Sequence, residues 1–225
     1  MKWVKFFGIA VIAAAVCGGA AGLARERFDD QVRDDMLRGF GGNEAAFTRA
    51  LSIIEETLQE QPDHAEALVW RGAARYWRAG QAFAAGDVDA GRALAADAMA
   101  DMDRSIALEP RNLGVLVPRA AVLLVAARNQ RDHARAQELA GRAAADFETA
   151  LAIRAPEFDR LGQHNRGEYL AGLAESWALA GNQDKGRAYL GRILAELPDS
   201  RYARRAAAKL ADWGDTQPLN CQTCH

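Results

Sequence analysis

The stretch Ala100-Asp101-Met102-Asp103-Arg104-Ser105-Ile106-Ala107-Leu108 decides the fold, because it returns as Ala145-Asp146-Phe147-Glu148-Thr149-Ala150-Leu151-Ala152-Ile153. The offset is constant across the block. Self-similarity on this scale is the mark of a stacked-repeat architecture, in which one supersecondary unit cannot bury its apolar face alone. From Phe28 to about Trp213 the apolar spacing is helical and no strand alternation occurs. The repeating unit is therefore expected to be a helical hairpin, and the chain an all-α solenoid of antiparallel hairpins.

Working outward, the punctuation is regular. Gln61-Pro62-Asp63, Glu109-Pro110-Arg111, Ala155-Pro156-Glu157 and Leu197-Pro198-Asp199 each close one helix and lead into the next. Half of the residues are hydrophobic, which argues against disorder over most of the chain. Alanine carries much of that fraction, favouring close-packed helices over sheet.

Several segments resemble tetratricopeptide repeats. Pro62-Asp63-His64-Ala65-Glu66-Ala67-Leu68 looks like the junction between one repeat and the first helix of the next. Gly72 falls where the family places Gly, although Arg71 stands where it places a hydrophobic residue. Leu173-Ala174, Gly181, Leu190, Ile193 and Pro198 follow the family spacing, and a partial repeat with Ala50, Ile54 and Thr57 ends at Pro62. The resemblance covers most of residues 43–212. It departs in period, which is about 34 residues in the family; here the Pro62–Pro110 and Pro110–Pro156 spacings are longer. The extra residues lie around Gln81–Asp97 and Arg128–Arg142, with turns at Gly86-Asp87 and Asn129-Gln130-Arg131-Asp132. Two middle hairpins with lengthened helices are expected. They either widen a groove or simply overhang.

Residues 1–24 read as an export signal. Lys2 and Lys5 precede an uncharged run from Phe6 to Ala24, and Gly22-Leu23-Ala24 supplies small residues before Arg25-Glu26-Arg27. Uncut, the run is about long enough to anchor the chain in a membrane. Either way the bulk of the protein is expected on the periplasmic or extracellular side of the cytoplasmic membrane. Cys17 follows Val16, a poor match to a lipidation site. The repeat domain then occupies 25–213, and 214–225 is expected as an extended tail, with Gly214 as a left-handed cap and Pro218 forbidding helix.

That tail ends in Cys221-Gln222-Thr223-Cys224-His225. Cys-x-x-Cys-His is the attachment signature of a c-type haem: two thiols bond the porphyrin vinyl groups and the imidazole becomes the proximal iron ligand. Export supports this, since exported thiols persist as disulfides or thioethers. A terminal disulfide and a partial metal site remain open alternatives; zinc would want more ligands than His225 adds.

A single haem c needs cover and a sixth iron ligand. His64, His133, His164, Met36, Met99 and Met102 are the candidates in this chain, and a ligand from another chain is equally open. His164 is favoured, since Gly162-Gln163-His164-Asn165 is polar and nearer the tail. Arg71, Arg75 and Arg78 recur at helical spacing. They form either a site for haem propionates or a partner, or a solvated face. Trp70, Tyr76, Trp77 and Phe83 on the same helix suit repeat packing.

A net charge of −2 gives no footprint for nucleic acid. No nucleophile elbow or phosphate loop occurs, so an enzyme is not expected. Two functions follow. One is an exported electron-transfer subunit presenting its haem to a redox partner or to other copies of itself. The other is a non-redox periplasmic scaffold with its terminal cysteines joined.

Overall fold

A computed structural model describes residues 27–215 and 217–219. Among these residues every regular element is a helix, as the apolar spacing requires. In chain order they are α1 (Phe28–Phe40), α2 (Glu44–Glu60), α3 (Ala65–Ala84), α4 (Val88–Leu108), α5 (Leu113–Asn129), α6 (His133–Arg154), α7 (Gln163–Leu179), α8 (Gln183–Glu196) and α9 (Arg201–Ala211). A short 3-10 segment, Ala155–Arg160, follows α6 where Pro156 denies the α-helix a donor.

The starts are set by capping side chains. Asn43, His64, Asp87, Asn112, Asp132, Asn182 and Ser200 each accept a hydrogen bond from a backbone N–H in the first turn of the helix that follows. Each such cap is worth about 1 kcal/mol. Three of the tight turns share one device. Gly42, Gly86 and Gly181 have φ of 97°, 84° and 86°, and each immediately precedes the capping Asx residue. Only glycine takes that backbone without strain, so Gly-Asx both ends one helix and starts the next.

Short turns force neighbours to pack antiparallel. The most extensive contacts join α1 with α2, α3 with α4, α5 with α6, and α7 with α8; α9 lies on α8. Contacts between α1 and α3, α3 and α5, and α5 and α7 connect successive pairs. The lengthening is uneven: α3, α4 and α6 have 20, 21 and 22 residues, while α5 has 17, the same as α7. Extended backbone at Gln130 stops α5 early.

Glycines inside helices bring the pairs close. A Cβ on Gly72 would meet Ala98 O and Met102 Cγ at 3.0 Å, and one on Gly172 would lie 2.7 Å from the Phe147 ring. The first pairs bury Val32, Met36, Phe47, Ile54, Leu68 and Met102 completely. The last pair and α9 bury Leu170, Leu190, Ile193 and Tyr202.

At the start of the tail one expectation fails. Helix α9 ends at Ala211, and Gly214 does not take the left-handed conformation. Instead the Asp212 carboxylate accepts the Gly214 N–H at 2.9 Å. Leu219 is only 3% exposed and joins the core under α7, α8 and α9.

Candidate functional site

Helix α7 places a histidine at its start and α9 supplies that histidine's partner. The His164 ring, exposed in the first turn of α7, lies with its Nδ1 3.0 Å from the Tyr202 phenol oxygen. The Tyr202 hydroxyl donates to Glu168 Oε1 at 2.6 Å. Tyr202 cannot swing away: its ring is 3% exposed and fills the space where a Cβ on Gly167 would sit, 2.3 Å from Tyr202 Cδ2. A buried aromatic ring thus holds its polar tip at the surface beside an imidazole.

The tail reaches the same helix further along. Arg205 donates to Asp215 Oδ2 at 2.8 Å and to Gln217 O at 3.0 Å. Lys209 Nζ donates to Trp213 O at 2.8 Å and also to Asp215 O. The Leu219 N–H points at Glu175 Oε2, 3.5 Å away, while Glu175 Oε1 accepts from Arg128 Nε at 2.5 Å. Backbone and guanidinium hydrogen bonds lower the pKa of Asp215. His164, Glu168 and Glu175 are four and eleven residues apart, so they fall along one face of α7. That face carries the tail at one end and the imidazole at the other.

The motif residues Cys221, Cys224 and His225 lie outside the described residues, as do Cys17 and the whole of 1–24. The donor set has the right chemistry for a c-type haem: two thiols for thioethers and one imidazole for iron. The described residues add a held anchor, Leu219, two positions before Cys221, and an exposed imidazole on the helix that receives the anchor.

All of the other candidates except His133 are engaged within the fold. Arg71 donates to Asp101 at 2.9 and 2.7 Å, and Arg75 to the same carboxylate at 2.6 Å. Asp101 is 6% exposed, and its hydrogen bonds raise the pKa of Arg71. Arg78 donates to Glu44 and stacks on Phe47 with its guanidinium carbon 4.5 Å from the ring centre. The basic stripe is thus satisfied within the fold. His64 Nδ1 caps α3 at 3.2 Å from Ala67 N, and its ring packs 4.8 Å from that of Phe28. His133 is exposed at the start of α6. Met36 and Met102 are fully buried and Met99 packs on the α5–α6 core. Trp70 is core, Trp77 stacks on Phe47 at 4.8 Å, and Phe83 covers Gly91.

The sequence singles out His164 but not Tyr202, Glu168, Glu175 or Leu219, which the structure places on or against the same helix. Tyr202 lies 38 residues from His164, and no local pattern links them. Among the described residues no helix is long and apolar enough to cross a membrane, and no cluster of three or more His, Cys, Asp or Glu could hold a metal ion. No family model, curated protein or solved structure matches the chain.

Proposed function

We propose that this protein is an exported electron-transfer subunit: a tetratricopeptide-like stack of helical hairpins carrying one c-type haem. Cys221 and Cys224 hold the porphyrin through thioethers and His225 is the proximal ligand. The observation that carries this reading is the pentapeptide Cys221-Gln222-Thr223-Cys224-His225 in a chain with an export signal over residues 1–24. The haem supplies one-electron chemistry. The chain's own contribution is position. Leu219, Arg205 and Lys209 tie the segment that precedes the motif to α7 and α9. The paired helices and their Gly-Asx turns support the repeat-stack part of the reading. A redox protein, or a second copy of the chain, is the partner this arrangement serves.

The test is a pyridine haemochrome spectrum on protein exported by cells with a cytochrome-maturation system. One haem c per chain is the expected result. A colourless product, with Cys221 joined to Cys224, removes the electron-carrier function and leaves a non-redox envelope scaffold.

A further inference from the structure

We infer that the second half of α9 and the chain that follows it, as far as residue 219, form a strap across the end of the stack. Leu219 latches the strap, which opens as one piece and bares the apolar cluster on α7 and α8. The inference does not depend on the haem reading. Three observations carry it.

The first is how little α9 brings of its own. It has 11 residues, and a helix that short does not persist in water without packing. Its buried side chains are those of Tyr202, Ala203 and Ala206. The Tyr202 ring, locked against Gly167 of α7, pins the first turn. From Arg204 onward only Ala206 is buried, with Leu210 half-buried. An alanine methyl covers too little apolar surface to hold the remaining turns.

The second is what supplies the missing surface. Leu219 enters the cluster that includes Leu170 and Ala174 of α7, Leu190 and Ile193 of α8, and Ala206 of α9. It is the one buried side chain among the described residues from 212 to 219. A single leucine therefore fastens both the tail and the end of α9 to the body of the stack.

The third is that the polar grip is mutual. Arg205 donates to the Asp215 carboxylate at 2.8 Å and to the Gln217 carbonyl at 3.0 Å. Lys209 donates to the Trp213 carbonyl at 2.8 Å and to that of Asp215. Both cations come from the later turns of α9 and every acceptor comes from the tail. The Trp213 ring in turn takes Lys209 Nζ at 5.4 Å and the guanidinium of Arg187, on α8, at 4.3 Å from its centre. The helix holds the tail and the tail holds the helix. Segments that support each other in this way open as one cooperative unit. Leu170, Leu190 and Ile193, none more than 1% exposed while the strap is closed, then lose part of their cover. A partner that takes hold of the tail thus also remodels the end face of the stack.

The test is hydrogen exchange on the full chain, read peptide by peptide, in the wild type, Leu219→Ala and Lys209→Met. Leu219→Ala is expected to speed exchange in 206–211 and 213–219 together, by about thirtyfold or more, the lower end for truncating a buried leucine. Exchange in α8 and in α1–α6 is expected to stay unchanged. Lys209→Met, which keeps an apolar stem, is expected to speed the same two segments by a smaller common factor. Trypsin gives a second reading: cleavage after Arg205 and Lys209 is expected to rise in Leu219→Ala. Faster exchange in 213–219 with 206–211 unchanged overturns the inference, because α9 then stands without the tail. Acceleration spread equally over α7 and α8 also overturns it, since the cluster then melts rather than sheds a strap. So does unchanged exchange in both segments. Haem-loaded and colourless protein decide the question equally, and either outcome leaves the haem reading to its own test.

Discussion

Arg119 of α5 and Asp146 of α6 form a salt bridge at 2.5 Å with both side chains nearly sealed from solvent, 7% and 9% exposed. Asp103 of α4 shares the guanidinium at 3.1 Å and also takes Arg142. Asp146 occupies the repeat position that Asp101 occupies one hairpin earlier, and Asp101 there binds Arg71 and Arg75. An acid on the second helix of a hairpin thus grips arginine from the first, twice. Removing one partner of a buried pair leaves the other uncompensated and costs about 3–5 kcal/mol. Asp146→Ala is expected to lower stability in urea unfolding by less than that, since Asp103 still pairs with Arg119, and Asp146→Asn by less again, since the amide oxygen still accepts from Arg119.

The same pair gives a pH signature. Burial, outweighing the attraction of Arg119, pushes the Asp146 carboxyl up to about 6 from an ordinary 3.8; Arg142 lowers it further and Asp103 raises it. The folded chain therefore binds this proton more tightly than the unfolded chain. Asp146 contributes most at low pH, and that contribution is lost as pH rises from 3.8 to about 6. Urea midpoints of the wild type relative to Asp146→Asn are expected to fall across that window and to level off above it. A relative midpoint that rises with pH would contradict the burial account.

Two glycines separate packing from propensity. A Cβ on Gly172 would lie 2.7 Å from the Phe147 ring, whereas one on Gly191 would meet nothing within 4 Å. Gly172→Ala is expected to destabilise by about 1–3 kcal/mol through overpacking. Gly191→Ala, in open helix, is expected to stabilise by about 0.5–1 kcal/mol. Denaturant midpoints of the two variants check the opposite signs.

Leu219 is the tail's apolar anchor. Leu219→Asp would place a carboxylate in the core formed by Phe158, Leu170 and Ile193 and beside Glu175. The segment 213–219 is expected to come away while α1–α6 stay intact. Hydrogen exchange should then show faster amides in 213–219 with unchanged protection in the first three helix pairs. Unaltered protection of the tail would show that Arg205 and Lys209 hold it alone.

The helices were legible because their signals are local. Proline at 62, 110, 156 and 198 and a capping residue after Gly42, Gly86 and Gly181 mark boundaries within a few residues of chain. The similar nonapeptides at Ala100 and Ala145 each lie in the second helix of a packed pair. What the sequence withheld depends on distant pairs. The Arg71–Asp101 contact spans 30 residues and Tyr202–His164 spans 38, so a stripe of arginines reads as free until its acid is found. In the tail, Asp215, Thr216, Gln217 and Asn220 make the segment around Pro218 read as polar, and the burial of Leu219 under α7, α8 and α9 shows only in the structure.

Everything functional turns on whether the last thiols carry a porphyrin. The most direct measurement is mass spectrometry of the C-terminal peptide released from protein exported alongside a cytochrome-maturation system. The account predicts a peptide containing Cys221 and Cys224 heavier by one haem, bonded through both sulfurs. The same peptide without added mass, its two cysteines free or joined to each other, would contradict it.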